Sequence, residues 1–216
     1  MGKMHIQEYG DPKASIVLIQ MVDDHDLELM EKEVAAIEAA TSFPFRLITI
    51  KVNHWNDDLS PWGCQPVFGN VPFAGKAEKT MQEVLLLTEN KDKTYLIGGY
   101  SLSGLFALWM AGRTDRFVGV AAASPSIWFP DFIPYMRENP LRAEHIYLSL
   151  GDREERSKNP LMSKVALRIR EAEVLLQEEG KNCILEWNEG NHFKNPDLRT
   201  ARAFAWTIEE TQKKEK

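Results

Sequence analysis

Only two cysteines occur in the chain, Cys64 and Cys183, far apart and outside any paired spacing. Neither a disulfide framework nor a cysteine-held metal is expected, and such cysteine usage fits a reducing, cytoplasmic compartment. Long hydrophobic runs are missing too, since nothing approaches the roughly 18 consecutive apolar residues of a membrane span. The opening Met1-Gly2-Lys3-Met4-His5-Ile6 has no apolar leader core, and Ile6 stands where a myristoylation signal has Ser or Thr. Neither a leader nor a membrane anchor is therefore expected. Basic tracts are absent apart from Lys213-Lys214, and the formal charge of −6 comes from acids and bases mixed along the sequence. Nucleic acid is not an expected partner for such a chain. No internal repeat, low-complexity tract or second domain is visible.

What the chain does have is enough apolar material for one core: 44% of its 216 residues are hydrophobic and 27% charged, which predicts a single domain over 1–216. Short apolar runs rich in β-branched residues recur at 15–22, 45–52, 94–99, 117–122, 145–150 and 183–187, and read as buried strands. Residues 6–9 add an edge strand. Between the runs lie amphipathic stripes. Leu27, Met30, Val34 and Ile37 form one, Ala77, Met81, Val84, Leu85 and Thr88 a second, and Leu161, Val165, Ile169, Ala172 and Leu176 a third. Ala201, Ala203, Phe204 and Trp206 belong to a C-terminal helix. Asp26 and Asn159-Pro160 read as helix starts, and Gly180 as a stop. Strict alternation of strand and helix predicts an α/β fold whose mostly parallel sheet carries helices on both faces. In such a sheet the chemistry belongs just after the strands, at their carboxyl ends.

After the strand at 94–99 comes Gly99-Tyr100-Ser101-Leu102-Ser103-Gly104, then an apolar helix from Leu105 to Met110. This is the setting of a nucleophile elbow, a sharp turn that points a serine hydroxyl out of the sheet edge. The positions two before and two after that serine must be small, and Gly99 and Ser103 are. The helix that follows aims its positive end and the Leu102 amide at a developing oxyanion. A plain Gly/Ser turn without chemistry is the competing reading. A phosphate-binding loop is disfavoured: Gly99 and Gly104 have its spacing, but Leu105-Phe106 stands where Lys and Ser/Thr are required.

A serine hydroxyl needs a base, and in this fold the order along the chain is serine, acid, histidine. His5, His25 and His54 precede Ser101, and His145 opens a strand and so falls at the opposite sheet edge. His192 remains, in Glu189-Gly190-Asn191-His192-Phe193 after the last strand. The acid that orients it is expected in Gly151-Asp152-Arg153-Glu154-Glu155. Glu154, three past the glycine, is favoured, with Asp152 and Glu155 left open.

With these three segments in order, nearly the whole chain resembles the esterase family of α/β hydrolases that includes esterase D-like and enterochelin-esterase-like enzymes. The resemblance implies an α/β-hydrolase fold without a large cap domain. It also implies hydrolysis of a small soluble carboxylic ester through an acyl-enzyme, with neither metal nor organic cofactor. Ser103 departs from the usual glycine. The segment Met21-Val22-Asp23-Asp24-His25-Asp26 departs from the glycine-rich oxyanion loop of relatives, yet it occupies the place of the second oxyanion donor, here Val22 or Asp23. Its acids and histidine could instead be read as a metal cluster, but neighbours on one loop rarely converge on an ion.

The long segment 53–73 opens at the same edge. Its Trp55 and Trp62, with Trp128 and Phe129 after the strand at 117–122, are expected to wall a substrate pocket, against the alternative that each caps the core. The 124–142 connection is too short for a cap, so an open site is expected. A thioesterase or small peptidase would use the same triad, and a non-catalytic binding protein would have no need of all three groups.

Overall fold

The structure, a computed structural model, describes residues 5–67 and 69–213. The Met1–Met4 part of the opening segment, Phe68 of the long loop and Lys214 of the basic pair lie outside them. In chain order the strands are β1 (His5–Gly10), β2 (Ile16–Val22), β3 (Phe45–Lys51), β4 (Gly63–Cys64), β5 (Phe73–Ala74), β6 (Thr94–Tyr100), β7 (Phe117–Ala123), β8 (His145–Gly151) and β9 (Asn182–Asn188). The α-helices are α1 (Asp24–Ala40), α2 (Trp55–Asp58), α3 (Ala77–Leu85), α4 (Leu102–Arg113), α5 (Phe132–Glu138), α6 (Val165–Glu178) and α7 (Pro196–Lys213).

Seven strands form one sheet in the order β1-β3-β2-β6-β7-β8-β9, parallel throughout except for β1, which pairs antiparallel with β3 at one edge. The central strands are apolar on both faces because helices cover both. Along β2, Val17, Ile19 and Met21 join a core built with α3, α4, α5 and α6, while Ile16, Leu18 and Val22 join a second core built with α1 and α7. The same alternation along β3 sends Ile48 and Ile50 to the first core and Phe45 and Leu47 to the second. Strand pleating thus sorts a continuous apolar run into two layers. Helix α4 is buried along nearly its whole length, from Leu102 to Gly112, as its unbroken apolar sequence requires. Among the described residues no helix is long and apolar enough to cross a membrane.

Two helix starts differ from expectation. Asp23, not Asp26, is the N-cap of α1, and Asp26 sits three residues inside it. The Asp26 amide donates to Asp23 Oδ1 at 2.8 Å and the Asp23 amide to Asp26 Oδ2 at 3.1 Å, a reciprocal capping box. Asn159 Oδ1 does accept from the Leu161 and Met162 amides, but the turn it caps is a 3₁₀ turn, and α6 begins only at Val165. The long segment 53–73 is not featureless, since it holds α2 and the small β4–β5 hairpin.

Candidate active site

Ser101 stands between β6 and α4 with φ 57° and ψ −119°, a strained conformation for a residue with a side chain. Backbone bonds pin it on three sides: its amide donates to the Ala123 carbonyl at 3.1 Å, and its carbonyl accepts from Leu105 and Ser126 at 3.1 and 3.0 Å. Gly99 has φ 149°, and a Cβ there would overlap the Ser103 hydroxyl. The serine in the usual glycine position therefore makes Gly99 obligatory. Leu102 is the first residue of α4, so its amide is one of those a helix start leaves without an intrahelical partner.

The structure brings Ser101, His192 and Glu154 into one chain of hydrogen bonds. Ser101 Oγ is 3.0 Å from His192 Nε2, and His192 Nδ1 is 2.7 Å from Glu154 Oε2. The other carboxylate oxygen, Oε1, accepts from the Gly151 amide at 2.7 Å, the Ser124 hydroxyl at 2.8 Å and Arg199 Nη1 at 3.1 Å. Burial alone would raise the Glu154 pKa. The hydrogen bond and charge of His192, with the Gly151 and Ser124 donors, outweigh it and hold the carboxyl below its usual range. Asp152 and Glu155 take no part in this chain: Asp152 accepts from the Gly190 amide at 2.7 Å, and Glu155 is exposed.

Sequence reasoning missed the supports around this chain. The Arg199 and Glu154 side chains are both 4% exposed and form a buried ion pair. Arg199 also donates to the Tyr100 hydroxyl and to the Glu189 and Asn191 carbonyls, tying α7 to the histidine loop. Tyr100 in turn donates to the His192 carbonyl at 2.7 Å. Burial, then the Glu154 charge, pushes the Tyr100 phenol up to about 12, so it stays a donor. Ser126 Oγ lies 3.1 Å from Ser101 Oγ. With the imidazole neutral and its proton on Nδ1 facing the Glu154 carboxylate, Nε2 accepts the single Ser101 proton and the Ser126 hydroxyl donates to Ser101 Oγ.

The expected second oxyanion donors are corrected. Val22 pairs in the sheet with Lys51, its carbonyl accepting from Val52, so its backbone faces β3 and not the site. The Asp23 amide is taken by the Asp26 carboxylate. The aromatic wall is corrected in half. Trp55 and Trp128 line cavities at the site, whereas Phe129 and the half-buried Trp62 pack with Phe132, Tyr135 and Phe73. Trp62 lies against the core, and its Nε1 donates to the Pro130 carbonyl at 3.1 Å.

Two cavities flank the His192–Phe193 pair. One, of about 390 Å³, is lined by Pro125, Trp128, Arg153, Glu154, Arg156, Ser157, Met162, Val165 and Asn191 besides that pair. The other, of about 430 Å³, holds Ser101 with Asp23, His25, Asp26, Leu29, Trp55, Tyr100 and Asp197. Glu33 is buried within electrostatic reach of Asp26 and Asp197. Burial, reinforced by the Asp26 charge, pushes its carboxyl well above the usual range despite a hydrogen bond with Gln20. A carboxyl raised in the folded state stabilises the fold below its unfolded pKa, and that contribution is lost as pH rises through the folded value. Glu33→Gln, which imitates the protonated form, is expected to change Tm more favourably near pH 8 than near pH 5, by a few degrees at about 2–4 °C per kcal/mol for a chain of this length. Thermal melts of both proteins at the two pH values check this. Equal differences would mean that Glu33 folds ionised.

No family model matches the sequence, and no curated protein matches it. A mainly parallel seven-stranded sheet with this serine turn after β6 is the α/β-hydrolase fold, and solved structures share it over almost the full chain. The siderophore hydrolase EstA from Aspergillus nidulans matches with a TM-score of 0.65 at 19% identity, over 95% of this chain and 89% of that one. An IroE-like serine hydrolase from Shewanella oneidensis matches with a TM-score of 0.74 at 12% identity, over 94% and 75%. The enterobactin esterase of Shigella flexneri matches with a TM-score of 0.62 at 13% identity, and this chain spans 56% of its length. At such identities the likeness establishes the fold.

Proposed function

We propose that the protein is a serine-dependent carboxylic ester hydrolase, with Ser101 as nucleophile, His192 as general base and then acid, and Glu154 as the carboxylate that orients the imidazole. The observation that carries this is the chain Ser101 Oγ, His192, Glu154 at 3.0 and 2.7 Å, opening between two cavities at the carboxyl edge of the sheet. Small-molecule ester chemistry is the class to which the siderophore hydrolase and enterobactin esterase of the same fold belong by name.

In this reading Ser101 Oγ attacks the ester carbonyl carbon while its proton passes to His192 Nε2. The Leu102 amide and the positive end of α4 receive the oxyanion. Collapse of the tetrahedral species breaks the bond to the alcohol, which leaves with the proton returned by His192. Water then repeats the sequence on the acyl-enzyme and releases the acid. The test is mass spectrometry of an acid-quenched mixture turning over p-nitrophenyl acetate. An acetyl group on the peptide that contains Ser101 is expected. Hydrolysis with no acylated serine would sink the reading.

Ser126 positions the nucleophile here, since its hydroxyl holds Ser101 Oγ by a single neutral bond. Net hydrogen-bond energies near 1 kcal/mol put the expected loss of kcat in Ser126→Ala at about three- to tenfold, with KM little changed. Ser126→Thr keeps the donor and is expected to recover most of it. Steady-state kinetics of both variants check this, and a loss that threonine deepens would point to packing instead.

A further inference from the structure

The two cavities that meet at His192 and Phe193 differ in charge. The one that holds Ser101 is edged by the carboxylates of Asp23 and Asp26, and by Asp197, which is paired with Lys32 at 2.6 Å. The other has an apolar floor of Pro125, Trp128, Met162 and Val165, and Arg153 and Arg156 stand at its edge. Its one lining carboxylate, Glu154, is already matched by Arg199 and by the hydrogen bond to His192. Arg153 is only loosely engaged, 3.8 Å from Asp152 and 4.0 Å from Glu189. The exposed Arg156 side chain forms no hydrogen bond or ion pair with any described residue. A guanidinium presents a planar fork that fits a carboxylate, and beside apolar walls its field is less screened than on open surface.

We propose that this cavity binds an apolar segment of the substrate that ends in a carboxylate, held by Arg156 with Arg153 in support, so that the protein prefers anionic esters over neutral ones. Asp23 and Asp26 at the edge of the opposite cavity disfavour the same charge, which favours one direction for the substrate across Ser101. The proposal rests on the ester-hydrolase reading and deepens it.

The test compares the p-nitrophenyl monoester of glutarate with p-nitrophenyl pentanoate, which has a methyl group in place of the terminal carboxylate. At low salt kcat/KM is expected to favour the anionic ester about five- to tenfold, a range between an exposed pair and a charge-assisted hydrogen bond. Arg156→Gln and roughly 0.5 M salt should each bring the ratio towards one. Lys158→Gln, which removes an exposed charge outside the cavity, should leave it unchanged. Calorimetry on Ser101→Ala supplies a readout without chemistry: phenylbutyrate should bind several-fold more tightly than phenylbutyramide, and adding Arg156→Gln should remove the difference. A wild-type ratio of one or below overturns the proposal, as does a preference that Arg156→Gln does not touch or equal binding of the two ligands. Charge-selective binding to a protein that hydrolyses neither ester would sink the hydrolase reading and leave the anion site standing.

Discussion

Replacing Ser101 with alanine is expected to abolish covalent labelling by a fluorophosphonate and to lower kcat on p-nitrophenyl acetate by roughly 10³- to 10⁶-fold, the range seen when a triad nucleophile is removed. The reagent reports activation rather than mere exposure, because an ordinary serine hydroxyl does not attack phosphorus at neutral pH. The fold should survive. Every backbone bond that pins residue 101, to Ala123, Leu105 and Ser126, is independent of the side chain. Alanine has the same φ restriction as serine, so the strain at φ 57° is unchanged. Tm should therefore stay within a few degrees of the parent. The nearest competing hydroxyl is Ser126, at 3.1 Å. Labelling of the Ser101→Ala protein that maps to Ser126 or Ser103 would show that the turn is right and the nucleophile wrong.

The parts of this site that could be read from the sequence are those whose signals are local. A serine in a turn between an apolar strand and an apolar helix announces itself within ten residues; chain order set aside His5, His25 and His54, and the start of a strand set aside His145. The fold was legible for the same reason. Buried parallel strands are continuous apolar runs, and each lies within one or two residues of its expected bounds. Helix starts were less legible where several residues could do the work. Asp23, Asp24 and Asp26 are all competent caps, and only the reciprocal bonds of Asp23 and Asp26 distinguish them. Asp152, Glu154 and Glu155 posed the same difficulty. The groups that set Glu154 apart, Ser124 and Arg199, lie 30 and 45 residues away in the chain.

Arg199 carried no sequence signal, because an arginine in an amphipathic C-terminal helix normally faces water. Its burial follows from β9 and α7 bringing the Glu189 and Asn191 carbonyls to its guanidinium. The tryptophans divide on a similar tertiary detail. Both Trp55 and Trp62 are half-buried against the core, but Trp62 packs with Phe129, Phe132 and Tyr135 and satisfies its indole N–H on the Pro130 carbonyl, while Trp55 lines the cavity that holds Ser101.

Glu154→Gln is expected to lower kcat by about 10³- to 10⁴-fold, although glutamine has nearly the same shape. The reason lies in which way the new amide must turn. The Oε1 position faces three donors, the Gly151 amide, the Ser124 hydroxyl and Arg199 Nη1, so the amide oxygen is held there. The NH₂ group then faces His192 Nδ1 and forces the proton to Nε2, where it cannot accept from Ser101. Asp152→Asn and Glu155→Gln leave that proton in place and should change kcat by no more than a few-fold. The substitution also strands the buried Arg199 charge, and breaking a buried pair by removing one partner costs about 3–5 kcal/mol. Melting should accordingly fall by about 6–20 °C near neutral pH. Because folding lowers the Glu154 pKa, its stabilising contribution is present above the unfolded carboxyl value near 4.3 and is lost as pH falls through the lower folded value. The Tm gap between wild type and variant should therefore narrow below about pH 4. Kinetics at a temperature where both proteins are folded separate the two effects. A variant that melts lower yet keeps most of its kcat would leave Glu154 as a partner of Arg199 only, and a crippled Asp152→Asn would move the orienting carboxylate to Asp152.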